Sequence, residues 1–516
     1  MTAVPILTII TLLPLVGGIM VAGLGERKRH ERNLALIFSF LSLALVLLLW
    51  KNFDSANGGL QFKEEAEWIP TLGVNYFVGV DGLGLLMLLL TAIVTPMAML
   101  AAGRVEKSPS LFYALVLFLQ SGLFGAFTAL NFFHWFIFWE LSLMPAFFLV
   151  RLWGGLNRKP AATQFFVYTM VGSVAMLLAF LAIFLATGKM DFVELAKLGR
   201  SGTLADALSA KLGWRELNTR PLALIIFGGA LLGFAVKVPL MPFHTWLPAT
   251  YSEAPSSVTM LLTGVMSKMG VYGTVRILLP IFPSQINGVL TPLLFLAVVT
   301  VVFSACAAFA QQDLKRMLAY SSINHLGYCL LAVFAVAKFT GAPEFETEKQ
   351  AALNGVFLQM FNHGVTAAML FWFVALIEQR SGGLRGLNDF GGLRKVAPIF
   401  CGFMGITLFS SLGLPGLNGF VGEFLIFKGV FPLSPWAAGF SVIGLLVTAI
   451  FILTILQRVF NGPLNEKWVK FPDLTPGEIL LLLIPMALMF LLGLYPRLFT
   501  DVLNATAIHM VEQLTP

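Results

Sequence analysis

The chain has 516 residues, 58% of them hydrophobic and only 11% charged, with a mean hydropathy of +0.86. A soluble protein carries roughly 25% charged residues, so this chain lacks the charge to cover a water-facing surface and is read as a membrane protein. Its net charge of +7 comes from Lys and Arg dispersed between apolar stretches, which excludes a nucleic-acid patch, and Cys306, Cys329 and Cys401 each stand alone in an apolar run, which excludes an iron–sulfur or structural zinc site and leaves them as core filler.

In chain order, 14 apolar runs fall near residues 4–24, 33–51, 80–103, 109–127, 131–150, 162–187, 221–252, 256–279, 288–310, 317–337, 352–377, 396–431, 436–457 and 477–496. With about 20 apolar residues needed per span, they predict an all-α polytopic membrane protein of about 14 transmembrane helices. The first run has no basic leader before it and no small-residue cleavage site after it, so it reads as a retained helix. Sorting Lys and Arg by alternating sides puts 18 on one side and 13 on the other, but six of the 13 lie in one long loop between Lys189 and Arg220, leaving 18 against 7 in short loops. The positive-inside rule then puts both termini on the outer side. Lys237 and Lys268 are left over, inside apolar runs.

Runs seven and twelve are too long for single straight spans: 221–251 and 396–431 would extend roughly 45 to 55 Å across a hydrocarbon core of about 30 Å. Each contains its own breaker, Pro239, Pro242 and Pro248 in the first and the Gly413–Gly419 stretch in the second. Both are therefore expected to be broken helices, their freed backbone groups satisfied within the protein. Breaks five spans apart suggest two inverted five-helix repeats. The expected organisation is three N-terminal helices over 1–108, a first repeat over 109–280, a second over 281–460, and a last helix in 461–516.

Five ionisable residues stand out within these runs: Glu140, Lys237, Lys268, His325 and Glu423. Glu140, Lys268 and His325 are about 9 to 12 residues from a span end, roughly 13 to 18 Å deep. A charge there costs about 2.5 to 3.5 kcal/mol, so such residues face the bundle interior and have partners. The conservative alternative is a structural ion pair, Glu140 with Lys237, locking helices together; His134, near an interface, and His244, beside the break, read as satisfied core histidines. Lys268 resists that explanation, having no carboxylate in its own helix. Burial disfavours the charged form of such groups and an approaching opposite charge restores it, so a moving neighbour can load or unload a proton. Other chemistries lack their residues. Gly188-Lys189 is followed by Met190 and makes no phosphate loop, the glycines of 382–392 lack the strand of a dinucleotide fold, and the histidines are scattered, with His325 and His363 the only pair worth weighing for haem. Asn504-Ala505-Thr506 is a chance glycosylation match.

The stretches FWELSLMPAFFLV, VKVPLMPFHTWLP with Glu253-Ala254-Pro255, SKMGVYG, DLKRMLAYSSINHLGY, FNHGVTAAMLF and LPGLNGFVGEFLIFKG closely resemble the antiporter-like membrane subunits of respiratory complex I, the proton-pumping NADH:quinone oxidoreductase. The likeness runs from about residue 80 to 460. It implies that Glu140 and Lys237 form a modulating pair, Lys268 is the central proton carrier, His325 and His363 continue the polar axis, and Glu423 is the terminal proton site; Glu rather than Lys at that last position marks one branch of the paralogues. The resemblance also implies no cofactor or metal in this chain, with FMN, iron–sulfur clusters and quinone in other subunits, neighbouring antiporter-like paralogues and the lipid bilayer as partners, and a bacterial inner membrane with both termini periplasmic. One departure is Ala249-Thr250-Tyr251, where the family commonly has Asp-Ala-His, which leaves the proton entrance open. Cation/proton antiporter subunits and membrane-bound hydrogenases are related alternatives, and a purely structural membrane subunit is another.

Overall fold

The computed structural model describes residues 4–25, 30–214, 218–338 and 342–514; Arg27, Lys28, Arg29 and Arg215 of the orientation count lie outside them. The helices are α1 (Ile6–Gly23), α2 (Glu31–Lys51), α3 (Gly82–Ala101), α4 (Pro109–Thr128), α5 (Phe132–Trp153), α6 (Arg158–Thr187), α7 (Phe192–Arg200), α8 (Thr203–Leu212), α9 (Thr219–Lys237), α10 (Trp246–Glu253), α11 (Ser256–Leu261), α12 (Lys268–Gly273), α13 (Leu279–Ile281), α14 (Pro283–Gly288), α15 (Leu290–Phe309), α16 (Leu314–Ala337), α17 (Glu346–Ser381), α18 (Pro398–Leu412), α19 (Asn418–Leu433), α20 (Pro435–Ile455), α21 (Pro476–Leu494) and α22 (Arg497–Glu512). Among the described residues, 12 helices are long and apolar enough to cross a membrane. Two interrupted stretches accompany them: 256–281, where π-helical turns at Leu262–Met266 and Thr274–Leu278 separate α11, α12 and α13, and 398–433, where α18 gives way to α19. The count of about 14 read from the sequence includes both stretches.

Burial separates the inner helices from the rim. α17 and α16 are buried along nearly their whole apolar windows, as are α3 and α4, whereas α2 and α21 turn most of theirs outward. The exposed side chains on the rim are apolar, such as Leu47, Leu178, Leu446 and Ile484, the surface a lipid-facing bundle presents. Cys306 belongs to this exposed rim and not to the core, while Cys329 is buried.

Three features go beyond the expected apolar spans. An antiparallel hairpin, β1 (Gln61–Ile69) and β2 (Val74–Val80), joins α2 to α3; it leans on Leu130, whose N–H donates to the Phe77 carbonyl at 2.9 Å. The stretch 189–220, expected as a long loop, contains α7 and α8, and α7 buries Phe192, Leu195 and Ala196. The C-terminal part holds α22 besides α21, and α22 ties back to α3 through the Thr506 hydroxyl, which accepts from the Gly82 N–H at 3.0 Å. Hairpin, α7 and α22 gather at one end of the bundle. At the opposite end lies a set of ion pairs: Lys315 with Glu378 at 3.1 Å, Glu378 with Arg385 at 3.3 Å, Arg385 with Asp313, and Arg380 with Glu478 at 2.7 Å.

Both expected breaks are present, and their backbone accounting is met from within the protein, as a low-dielectric setting demands. At the end of α9, the Val236 carbonyl accepts from the Trp246 indole at 3.0 Å, and beyond it the Met241 N–H donates to the Thr300 hydroxyl at 3.0 Å. Between α18 and α19, the Asn418 carbonyl accepts from the Asn362 side chain at 2.7 Å and the Asn418 side-chain oxygen accepts from Ser410 at 2.5 Å. Gly413 turns the chain at φ +81, and Gly419 lets the two half-helices close, since a Cβ there would lie 1.9 Å from the Ser410 carbonyl. Gly419→Val should therefore lower stability by about 1–3 kcal/mol, the usual cost of overpacking, whereas Gly402→Val, with open space at its Cβ, should change thermal unfolding in detergent little. Equal melting of both variants would contradict this account of the break.

Candidate functional site

The two breaks and the π-helical turns lie beside the ionisable residues. Lys237 is the last residue of α9, directly before the first break, and is 2% exposed. Its ammonium sits over the Trp139 ring, 4.8 Å from the centroid, an arrangement worth about 2 kcal/mol when desolvated. Glu140, next to that tryptophan on α5, is the carboxylate whose field reaches Lys237. The two do not touch, however: Lys237 Nζ and both Glu140 oxygens are without a hydrogen-bond partner among the described residues. The pair is thus electrostatic at a distance, and the locked ion pair weighed from the sequence is not formed.

Lys268 opens α12, which packs against α9, and is fully buried. The π-helical turn before it adds a residue to the helical repeat, and Lys268 Nζ donates to the Thr263 carbonyl. The same Nζ lies 2.7 Å from His363 Nδ1 on α17. The His363 ring is 5.1 Å, centroid to centroid, from that of His325 on α16. His325 Nδ1 in turn lies 3.0 Å from Glu423 Oε1, and its Nε2 lies 3.2 Å from the Ser411 hydroxyl. Glu423 is on α19, one and a half turns past the second break, and is 6% exposed.

Four of the six residues singled out from the sequence therefore form one file: Lys268, His363, His325, Glu423. His363 lies between Lys268 and His325, and not after them. A cavity of about 10 Å³ lies among His325, His363, Ser411 and Glu423, at the lower limit of the space one water needs. Glu423 also borders a larger recess of about 520 Å³, lined by apolar side chains that include Phe420, Phe424, Phe427 and Phe431.

Three participants escaped the sequence reading. Gln359 Nε2 donates to Glu423 Oε1 at 3.2 Å; it sits four residues before His363 on α17, and that i, i+4 spacing was the available signal. Asn362 and Asn418 hold the break against α17, and buried asparagines in apolar runs were their only mark. His134 lies away from the file, packed 4.7 Å from the Tyr76 ring under the hairpin, and His244 sits in the first break near Phe303 and Tyr320. Among the described residues no group of three or more His, Cys, Asp or Glu could hold a metal ion.

Residues 129–450, more than half the chain, match the family described as NADH:quinone oxidoreductase/Mrp antiporter, transmembrane. The NADH-quinone oxidoreductase subunit M of Rhodobacter capsulatus is 34% identical, covering 98% of this chain and 96% of its own. The F(420)H(2) dehydrogenase subunit M of Methanosarcina mazei is 35% identical, covering 98% of each. A chain of respiratory complex I from Thermus thermophilus with bound NADH superposes with a TM-score of 0.82 at 28% identity, over 99% of this chain and 100% of that one.

The shared acceptor predicts coupling between Gln359 and Glu423. In a double-mutant cycle of Gln359→Leu and Glu423→Gln, thermal unfolding in detergent should be non-additive by about 0.5–3 kcal/mol; additive losses would mean that the contact at Glu423 Oε1 is not made.

Proposed function

Because the chain belongs to the NADH:quinone oxidoreductase/Mrp antiporter membrane family, in the branch of the subunit M chains, we propose that it is a proton-translocating, antiporter-like subunit of complex I. The observation that carries this reading is the unbroken approach of Lys268 Nζ to His363 and of His325 to Glu423, at 2.7 and 3.0 Å, within a buried file. The chain brings no redox group of its own to this reading. FMN, iron–sulfur clusters and quinone chemistry belong to other subunits, and the relatives named for NADH and for F(420)H(2) fit a module that acts downstream of whichever donor feeds the complex. The neighbouring antiporter-like subunits and the bilayer are its partners. In a bacterial host the membrane is the inner one, with both termini periplasmic and the ion-pair end, which carries the short-loop Lys and Arg, facing the cytoplasm.

The chemistry follows from the donors and acceptors in the file. A protonated Lys268 donates to His363 Nδ1; that ring then carries an additional proton, which it releases from Nε2 toward His325. His325, with hydrogen on Nδ1, donates to Glu423 and draws its next proton at Nε2, where the Ser411 hydroxyl stands. Glu423 is the last acceptor before the outer side. Glu140 and Lys237 control the first step: as Glu140 draws Lys237 toward itself or releases it, the cation near Lys268 changes position, and like charge favours discharge of Lys268 while its withdrawal favours reloading. Moving one proton against 100 mV costs about 2.3 kcal/mol, so the driver must come from outside the chain. The breaks between α9 and α10 and between α18 and α19 serve as the hinges of the two repeats, over 109–280 and 281–460.

In an assembled complex, Lys268→Ala and Glu423→Ala should each lower pumping-coupled quinone reductase activity by about a hundredfold, the lower end for loss of a positioned proton-transfer group. Normal rates and a normal proton gradient in both would remove the reading. Glu140→Gln separates it from a purely structural subunit: slower pumping at unchanged thermal stability supports control of Lys237, and lower stability with unchanged pumping supports the structural role.

A further inference from the structure

A carrier at Lys268 must be reloaded from the ion-pair end, and the helices that cover that distance offer little to do it with. Residues 246–252 and 254–267 contain no Asp, Glu, Lys, Arg or His. What they contain is hydroxyls. Ser256, Thr259, Thr263 and Ser267 recur at spacings of three, four and four along α11 and the π-helical turn, which sets them on one face of the helix. The outermost, Ser256, donates to Glu378 Oε2 at 2.9 Å, and Glu378 is the partly exposed carboxylate of the ion-pair end, bonded to Lys315 and Arg385. The innermost, Ser267, directly precedes Lys268.

Ser and Thr hydroxyls in apolar helices commonly do no more than bond a carbonyl one turn back, and Thr259 and Ser267 do this here, to Pro255 and Thr263. Two contacts do not fit that pattern. Thr263 reaches across to the Ser322 hydroxyl of α16 at 2.9 Å. Tyr251 of α10 is a fully buried side chain, and Ser267 and Thr263 are the side chains that act on its phenol. Thr259 ties the Tyr251 carbonyl to α11 at 3.2 Å, and the ring is held edge-on by Trp246 and Phe371. The phenol thus stands where the hydroxyl stripe meets the turn that carries Lys268, whose ammonium is bonded to the Thr263 carbonyl.

We propose that Tyr251 is the relay residue through which Lys268 is reloaded from the ion-pair end, its phenol passing protons along the hydroxyls of Thr263 and Ser267. Each hydroxyl in the file gives its own proton forward as it takes one from behind, so no group keeps a net charge. The proton enters at Glu378 and ends on the neutral amine of Lys268. This rests on the reading of Lys268 as a proton carrier.

The test is Tyr251→Phe in the assembled, membrane-reconstituted complex, which removes one hydroxyl and keeps the ring. The coupled rate should fall by about a hundredfold with an enlarged solvent deuterium isotope effect, and Tyr251→His, which supplies another proton-carrying group, should recover part of the loss. Should Tyr251→Phe fail to assemble, the pair Thr263→Val and Ser267→Ala is expected to give the same loss and isotope effect. If the hydroxyl-free variants pump normally while Lys268→Ala does not, the relay is wrong and the carrier stands; if Lys268→Ala also pumps normally, it is the carrier that fails.

Discussion

The structure depends on one constraint: polar groups held at membrane depth have no water to fall back on, so each must find its partner in the protein or remain expensively alone. The broken backbones show the first outcome. Where α9 stops, the Trp246 indole and the Thr300 hydroxyl take up the groups that the helix abandons, and where α18 stops, Asn362, Asn418 and Ser410 do so. Lys237 and Glu140 show the second. Among the described residues neither has a hydrogen-bond partner, and an unpaired buried charge is costly. In the proposed function, the satisfied breaks are scaffold and the unsatisfied charges are working parts.

The same constraint explains why the file has the composition it does. A lysine, two imidazoles and a carboxylate stand each close to the next, and three of the four have a further polar partner: the Thr263 carbonyl for Lys268, Ser411 for His325 and Gln359 for Glu423. They come from four different segments, α12, α16, α17 and α19. Two of those segments begin at an irregularity, the π-helical turn before Lys268 and the Gly413 break before Glu423, and π-turns and broken helices recur where membrane proteins build sites. Irregular backbone here positions chemistry that a straight helix would bury in the wrong register.

Much of this was legible in the sequence because an apolar chain makes its exceptions visible. The helical spans, the two breaks and the burial of Lys268 and His325 all followed from length, proline and glycine placement, and charge. The parts that did not follow have physical reasons. The strand β1, with Lys63, Glu64, Glu65 and Glu67, has no clear alternation because much of it faces solvent, so it carried no strand signal. The π-helical turns have no residue signature of their own. The order of His363 and His325 depends on how α16 and α17 pack, and the separation of Glu140 from Lys237 depends on the Trp139 ring that Lys237 covers instead; periodicity along a single helix contains neither fact.

The central claim is that these buried groups change protonation as the complex turns over. Infrared difference spectroscopy of the reconstituted complex, comparing resting and quinone-reducing states, reads this directly in the protonated-carboxyl region. The account predicts a carboxyl band that appears and disappears with turnover, shifts in deuterium oxide, and is absent in Glu423→Gln. A turnover spectrum with no carboxyl band, or one that Glu423→Gln leaves unchanged, would contradict it.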